Sequence, residues 1–353
     1  MKKYLLPRCG RFYKANLHCH TTVSDGKLTP EQVKAAYKGR GYSVVAFTDH
    51  DVMIPHPELA DEDFLPLNGY EMEIDEDPVE DRNWTRLCHF CLIALEPDNL
   101  KQVCYHRTKY LFSNAVNFRD QIRFDESLPD YERVYSGECI SDMMQKGREG
   151  GFFVTYNHPV WSMEDMEQYG RYHGMHAMEI CNYGCIVEGF PDYNEAVYDQ
   201  MLRGGERIFC IAADDNHNVH PLDSRYSDSF GGFTMIKADK LEYKTVTDAL
   251  LAGHFYASQG PLIHELWYED GRIHITCSDA DRIYLSAGFR AAEIRFAENG
   301  AALNAADFEV KPHYNYVRIT VVDRHGNHAN TNAYFVDELL AAAQGSNDAN
   351  QEK

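Results

Sequence analysis

Residues 15–26 read Ala-Asn-Leu-His-Cys-His-Thr-Thr-Val-Ser-Asp-Gly, and the rest of the chain is read outward from them. The first half has the apolar character of a strand and ends in two histidines. Alternate side chains of a strand face the same side, so His18 and His20 project together and can reach one cation. Asp25 follows in Ser24-Asp25-Gly26.

The same kind of ending recurs along the chain. A strand candidate at 43–47 runs into Thr48-Asp49-His50, and one at 64–69 runs into Gly69-Tyr70-Glu71. Those at 151–156 and 207–212 run into Asn157-His158-Pro159 and Asp214-Asp215-Asn216-His217. Two more lie at 87–95 and 177–181. Helical patterns separate several of them. Residues 30–41 follow Thr29 as a cap with Pro30 in the first turn, 138–148 follow Ser136, and 195–204 form a third. Seven strands with helices between them predict an α/β fold with a mainly parallel sheet or barrel. In such a barrel the strand C-termini converge on one face, which carries the site. His89 breaks the pattern because it lies near the start of its run. Either its strand is oriented differently, as in a hairpin with 71–75, or it reaches the site from lower in the barrel.

After Gly260-Pro261 the pattern changes to short strand candidates at 262–268, 272–277, 282–285, 293–296, 314–322 and 329–335. Tight-turn signals at Asp270-Gly271, Asn299-Gly300 and His325-Gly326-Asn327 separate several of them. The expected division is an alternating α/β domain carrying these histidines and carboxylates over 1–260, a small all-β, sandwich-like domain over 261–340, and a polar, disordered tail over 341–353.

A net charge of -21 over 353 residues repels nucleic-acid phosphates. No Lys/Arg-rich stretch with interleaved aromatics offers a strand-binding groove, so long nucleic acid is a disfavoured partner. The apolar residues 4–6 are too short for a signal sequence, and no run approaches the ~18 apolar residues of a membrane span. A cytoplasmic protein without membrane contact is expected, with an oligomer left open. The ten cysteines then read as reduced, mostly buried thiols, including the Cys88 and Cys91 pair, which has no second pair at zinc-ribbon distance. The acidic stretch 75–81 reads as a solvated loop.

The candidate metal ligands are His18, His20, Asp25, His50, Glu71, His89, His158, Asp215 and His217. Imidazole with carboxylate suits Zn, Mn, Fe or Co rather than a Ca or Mg cage. Nine donors exceed one tetrahedral ion and fit two or three ions with a bridging carboxylate. Paired ions polarise an ester oxygen and lower the pKa of a bridging water, which is hydrolase chemistry.

At these positions the sequence resembles the PHP (polymerase and histidinol phosphatase) superfamily. The motifs that carry the resemblance are His18-Cys19-His20-Thr21 with Ser24-Asp25-Gly26, Thr48-Asp49-His50, Gly69-Tyr70-Glu71, the isolated His89, Asn157-His158-Pro159 and Asp215-Asn216-His217. The resemblance implies a distorted (β/α)7 barrel and a trinuclear metal centre. It would place His18, His20, Glu71 and Asp215 on one ion, and Glu71, His89 and His158 on a second, with Glu71 bridging. Asp25, His50 and His217 would hold the third. The segment 249–261, ending Gly253-His254-Phe255-Tyr256-Ala257-Ser258-Gln259-Gly260-Pro261, looks like the junction in members that carry a C-terminal β-domain. Some of these are grouped with CehA/McbA-type metallohydrolases. The superfamily includes phosphomonoesterases, exonucleases and, in that subgroup, hydrolysis of carbamate-type esters.

Adjacent cations in an acidic protein select a compact anion, so a phosphate ester is the favoured substrate. The expected reaction is hydrolysis of a small-molecule phosphate ester (a nucleotide, sugar phosphate or cyclic phosphate) by a metal-bridging hydroxide, with two to three Mn, Fe or Zn ions. Glu71, Asp215 and His217 are placed at the reacting centre. Arg225 is expected to clamp phosphate oxygens. Asp49 and Asp214 are expected to orient ligand imidazoles. The alternatives are a hydrolase of carboxyl or carbamate esters and a non-catalytic, metal-stabilised binding protein.

Overall fold

The computed structural model describes residues 2–80, 82–298 and 301–341. Seven strands follow one another in chain order around a barrel: Arg11–Asn16, Val44–Phe47, Leu65–Asp75, Leu87–Ala94, Phe152–Tyr156, Ala177–Asn182 and Phe209–Ala213. Val44–Phe47 is apolar and buried throughout, as a strand covered on both faces must be. The barrel shuts at its C-terminal end, where the chain beyond the last strand meets the chain beyond the first. Cys19 bridges Asn216 in parallel, the His20 N–H donates to the Asn216 carbonyl at 3.1 Å, and the Asp215 N–H donates to the His18 carbonyl at 3.0 Å.

Leu87–Ala94 runs antiparallel to both of its neighbours, and the other neighbouring barrel strands pair in parallel. The fold is therefore a distorted seven-stranded α/β barrel, and of the two arrangements open for His89 it uses the hairpin. Reversing the strand carries the start of Leu87–Ala94 to the end where the other strands finish.

The first helix, Pro30–Lys38, begins where the capping box forms. Thr29 Oγ1 accepts from the Gln32 N–H at 3.3 Å, and Gln32 Oε1 accepts from the Thr29 N–H at 2.9 Å. Its buried face is Val33 and Tyr37. The other two expected helices are Gly137–Glu149, capped by Ser136, and Glu195–Gly204.

Two antiparallel sheets pack face to face after the barrel. One contains Lys3–Tyr4, Ile263–Glu269, Arg272–Ala280 and Leu303–Glu309. The other contains Phe255–Ser258, His328–Thr331, Tyr316–Val322, Arg282–Ala287 and Ala292–Phe296. Ile273 and Ile275 from the first sheet share a core with Ile283, Leu285 and Ile319 from the second. Alternate residues of Arg272–Ala280 and Arg282–Ala287 are buried, the period of a strand with one face on a core. Leu303–Glu309 has no counterpart among the expected strands, because its Asn-Ala-Ala-Asp run has low strand propensity. The chain's first residues, Lys3–Leu6, pack in this sandwich rather than in the barrel.

The strand Phe233–Ala238 joins the two units. It pairs with Arg11–Asn16 on one side and Phe255–Ser258 on the other, so one sheet runs from the barrel into the sandwich. Arg318 adds a polar tie from the sandwich to helix Glu195–Gly204, bonding Asp199 at 2.9 and 3.0 Å and Glu195 at 3.1 Å. Asp81, the Asn299-Gly300 turn and most of the expected tail (342–353) lie outside the described residues. No described helix is long and apolar enough to cross a membrane.

Candidate metal centre

The closed end of the barrel gathers all nine candidate ligands. His18 Nε2 stands 3.1 Å from both Glu71 Oε1 and Asp215 Oδ1. His20 Nε2 stands 3.0 Å from Asp215 Oδ1 and 3.3 Å from Glu71 Oε2. His158 Nε2 and His89 Nδ1 approach Glu71 Oε1 at 3.4 and 3.5 Å, and His50 Nδ1 approaches Glu71 Oε2 at 3.4 Å. At the mouth, His217 Nε2 lies 3.5 Å from Asp25 Oδ2, and the His20 ring stacks against His50 and against His217.

Three overlapping groups emerge among the described residues: His18, His20, Glu71 and Asp215; His50, Glu71 and His89; and His20, Asp25, His50 and His217. The first has the membership the resemblance implies. The others differ in detail, since His50 also faces Glu71 and His158 joins through Glu71 Oε1.

The donors fit cations. Donors around one tetrahedral ion with bonds of ~2.1 Å stand about 3.4 Å apart, close to the separations here. Glu71 Oε2, Asp215 Oδ1, His20 Nδ1 and His50 Nδ1 are buried with no hydrogen-bond partner among the described residues. So many unsatisfied donor atoms in one place call for a ligand.

Electrostatics point the same way. Burial disfavours a charged His158, but its bond to Glu71 and the charges of Asp215 and Glu179 outweigh burial and raise its pKa to about 9. His18 and His20 are raised against burial by the same carboxylates. Burial pushes Glu71 and Asp215 upward, yet the imidazoles hold both well below the carboxylate range. The cluster attracts positive charge, whether protons or metal ions.

Two of the candidate ligands sit on strained backbone. His158 (φ 24°) and Asp215 (φ 53°) occupy the left-handed region, which side-chain-bearing residues seldom adopt. The strain turns each side chain inward just past its strand. It is held by the Asp215 N–H bond to His18 and by the His158 N–H donating to Glu179 Oε2 at 3.0 Å.

Glu179 is the supporting residue that the sequence reading missed. It is fully buried within Ala177–Asn182, and its Oε1 meets His18 Nδ1 at 2.8 Å. One acidic residue inside an apolar run was the available signal. Asp49 and Asp214 do not orient imidazoles as expected. Asp49 accepts from the Thr21 N–H and Ser24 Oγ, both at 2.7 Å, and so fixes the loop before Asp25. Asp214 accepts from Tyr37 and from the N–H groups of Phe230, Gly231 and Gly232. Each side chain points away from the ligand next to it in sequence.

A cleft of about 790 Å³ opens over the centre. Trp161 packs against His89 and His158, and Phe112 packs against His50. Arg225 is not among the lining residues. It is exposed, with its guanidinium directed toward the Tyr226 ring, because the loop after His217 turns outward there. Lys27 lines the cleft instead, together with His220.

Residues 16–201 match the PHP domain family. No curated protein matches. Among solved structures, the chain is similar to a two-domain protein containing a predicted PHP-like metal-dependent phosphoesterase from Bacteroides vulgatus, at 14% identity and TM-score 0.41, covering 94% of this chain and 90% of that one. It is also similar to a protein assigned as a metal-dependent phosphoesterase from Bifidobacterium adolescentis, at 16% identity and TM-score 0.36, covering 60% and 89%. A third is an amidohydrolase from Chromobacterium violaceum with bound sulfate and no metal, at 14% identity and TM-score 0.35, covering 57% and 87%.

Proposed function

This chain belongs to the PHP family and is a metal-dependent hydrolase, and from that premise we propose that it cleaves a phosphate ester of a small molecule. The observation that carries the reading is the set of unpartnered buried donors on three overlapping His/carboxylate groups at the floor of one cleft. These groups would hold two to three Mn, Fe or Zn ions, with Glu71 shared between them. Such ions, when bound, supply Lewis acidity and a water that ionises near neutral pH.

The chain's own residues do the rest. Glu71 and Asp215 fix the inner imidazoles. Trp161 and Phe112 cover the flanks and exclude water, which strengthens every electrostatic contact inside. His217 is the most exposed ligand histidine, with 29% of its side chain accessible, and donates from Nδ1 to the Asp215 carbonyl at 3.1 Å. That bond leaves Nε2 as the atom that faces the centre at its mouth, beside the reacting group.

Wall charge narrows the substrate. Lys27 is the one lysine or arginine among the described lining residues, against Glu73, Asp75, Glu188 and Asp228 in addition to the ligands. A phosphate would be held at the centre itself, and further phosphates on the same molecule would meet acidic walls. This favours a compact ester, such as a sugar phosphate or cyclic phosphate, over a nucleotide with several phosphates. The same shortage of basic residues favours, as a second reading, an uncharged carboxyl or carbamate ester. A purely structural metal centre would need no open cleft. All ten cysteines are free thiols, which supports a reducing, cytoplasmic setting.

The test is elemental analysis of the purified protein beside phosphate, carboxyl and carbamate esters assayed with Mn, Fe and Zn. Two to three metals per chain with phosphate release, both lost in His18→Ala, is the expected result. Metal with carboxyl or carbamate cleavage alone would move the assignment to the second reading. A chain that takes up no metal would overturn both.

A further inference from the structure

Three ligand imidazoles share one arrangement, in which one ring nitrogen faces the donor cluster and the other is tied down. His18 Nδ1 meets Glu179 Oε1 at 2.8 Å, His158 Nδ1 meets Ser162 Oγ at 3.1 Å, and His217 Nδ1 meets the Asp215 carbonyl at 3.1 Å. In His89 the first half of this arrangement is present: Nδ1 faces Glu71 Oε1 at 3.5 Å. Its Nε2 is buried and has no hydrogen-bond partner among the described residues. The carboxylate beside it is Glu73, with Oε2 at 3.5 Å.

The hairpin explains this neighbour. In the antiparallel pairing of Leu65–Asp75 with Leu87–Ala94, Glu73 is directly opposite His89, so the two side chains share one face. Glu71 shares that face two residues earlier, while Met72 between them points into the apolar core. Glu73 also lines the cleft and stands 3.7 Å from His50 Nδ1. Nothing in the ligand set accounts for a carboxylate at this register.

We propose that Glu73 is the positioning carboxylate of His89. It accepts the Nε2–H and so fixes the tautomer that leaves Nδ1 free as the donor facing Glu71. A shift of a few tenths of an ångström brings the pair to hydrogen-bond distance. The role rests on the metal centre proposed above. Glu73 thus joins Glu179 as a supporting residue of that centre, acting through His89.

Elemental analysis and chelator competition on the full chain test this, comparing wild type, Glu73→Ala, Glu73→Gln, His89→Ala and the double variant Glu73→Ala/His89→Ala. Glu73→Ala is expected to weaken one metal equivalent by about 10–100-fold and leave the others in place. His89→Ala should weaken the same equivalent, and the double variant should lose no more than His89→Ala alone. Glu73→Gln, whose amide oxygen still accepts, should recover part of the loss. Wild-type affinity at every equivalent in Glu73→Ala, or additive losses in the double variant, would overturn the role of Glu73 and leave the metal centre standing. A wild-type chain that binds no metal would overturn both.

Discussion

Glu179 shows at the residue scale how much of the centre lies behind the ligands. A buried carboxylate is tolerated only when its oxygens are satisfied, and those of Glu179 meet His18, the His158 N–H and Asn182. Glu179→Ala is expected to weaken metal binding by about 10–100-fold through two ligands at once; chelator competition reads it. His158 gives a pH prediction. In the metal-free chain its pKa is raised from 6.5 to about 9, so its protonation stabilises the fold. That contribution is complete below pH 6.5 and is lost as pH rises through about 9. A cation needs the same imidazole unprotonated, so metal affinity should move the opposite way. The metal-free Tm should therefore fall from pH 6.5 to 9 while metal affinity climbs. A Tm that stays flat over this window, measured with chelator present, would contradict the assignment. At the cleft wall, Arg225→Ala should leave kcat/KM within about twofold, as an exposed residue away from the site does. Lys27→Ala should raise KM.

At the scale of elements, close backbone approach decides whether the Asp25 loop closes on the centre. A Cβ on Gly26 would stand 2.6 Å from the His20 carbonyl oxygen and 2.7 Å from the Thr21 nitrogen, both backbone atoms with little freedom to move. Gly26→Ala should cost about 1–3 kcal/mol of stability, read by denaturant titration, and should lower occupancy of the group containing Asp25 and His217. The elements themselves were largely legible. All seven barrel strands carry the apolar runs, and three of the helices the period or the cap, that their sequences announce. The reversed strand was legible only as a choice, because a strand's own side chains do not reveal the direction of its neighbours. The outward turn at Arg225 and the inward turn at Glu179 carried no periodic signal strong enough to read.

For the whole molecule, the shared sheet and Arg318 make the sandwich part of the barrel's support. Arg318 is 2% exposed and bonds two carboxylates on Glu195–Gly204, which follows the strand carrying Glu179 after the short helix Tyr183–Glu188. Arg318→Ala leaves those carboxylates without their cation and is expected to cost about 3 kcal/mol, toward the lower end for a buried pair because Glu195 and Asp199 keep contact with solvent. Thermal unfolding of the variant should show barrel and sandwich losing stability together. Two separated transitions, with the barrel unmoved, would show that they stand independently.

By itself the sequence determined the residue types, their places at strand ends and the division into an alternating α/β part and a β-rich part. These are local properties: burial period, caps, turns and the donor chemistry of each side chain. The tertiary structure decided everything that depends on distances between residues remote in the chain. It set which carboxylate each imidazole faces, which way the strand bearing His89 runs, that Lys27 rather than Arg225 lines the cleft, and that the chain's first strand joins the last sheet. Such contacts arise from the closing of a barrel and the pairing of strands, and periodicity along a single chain carries no record of either.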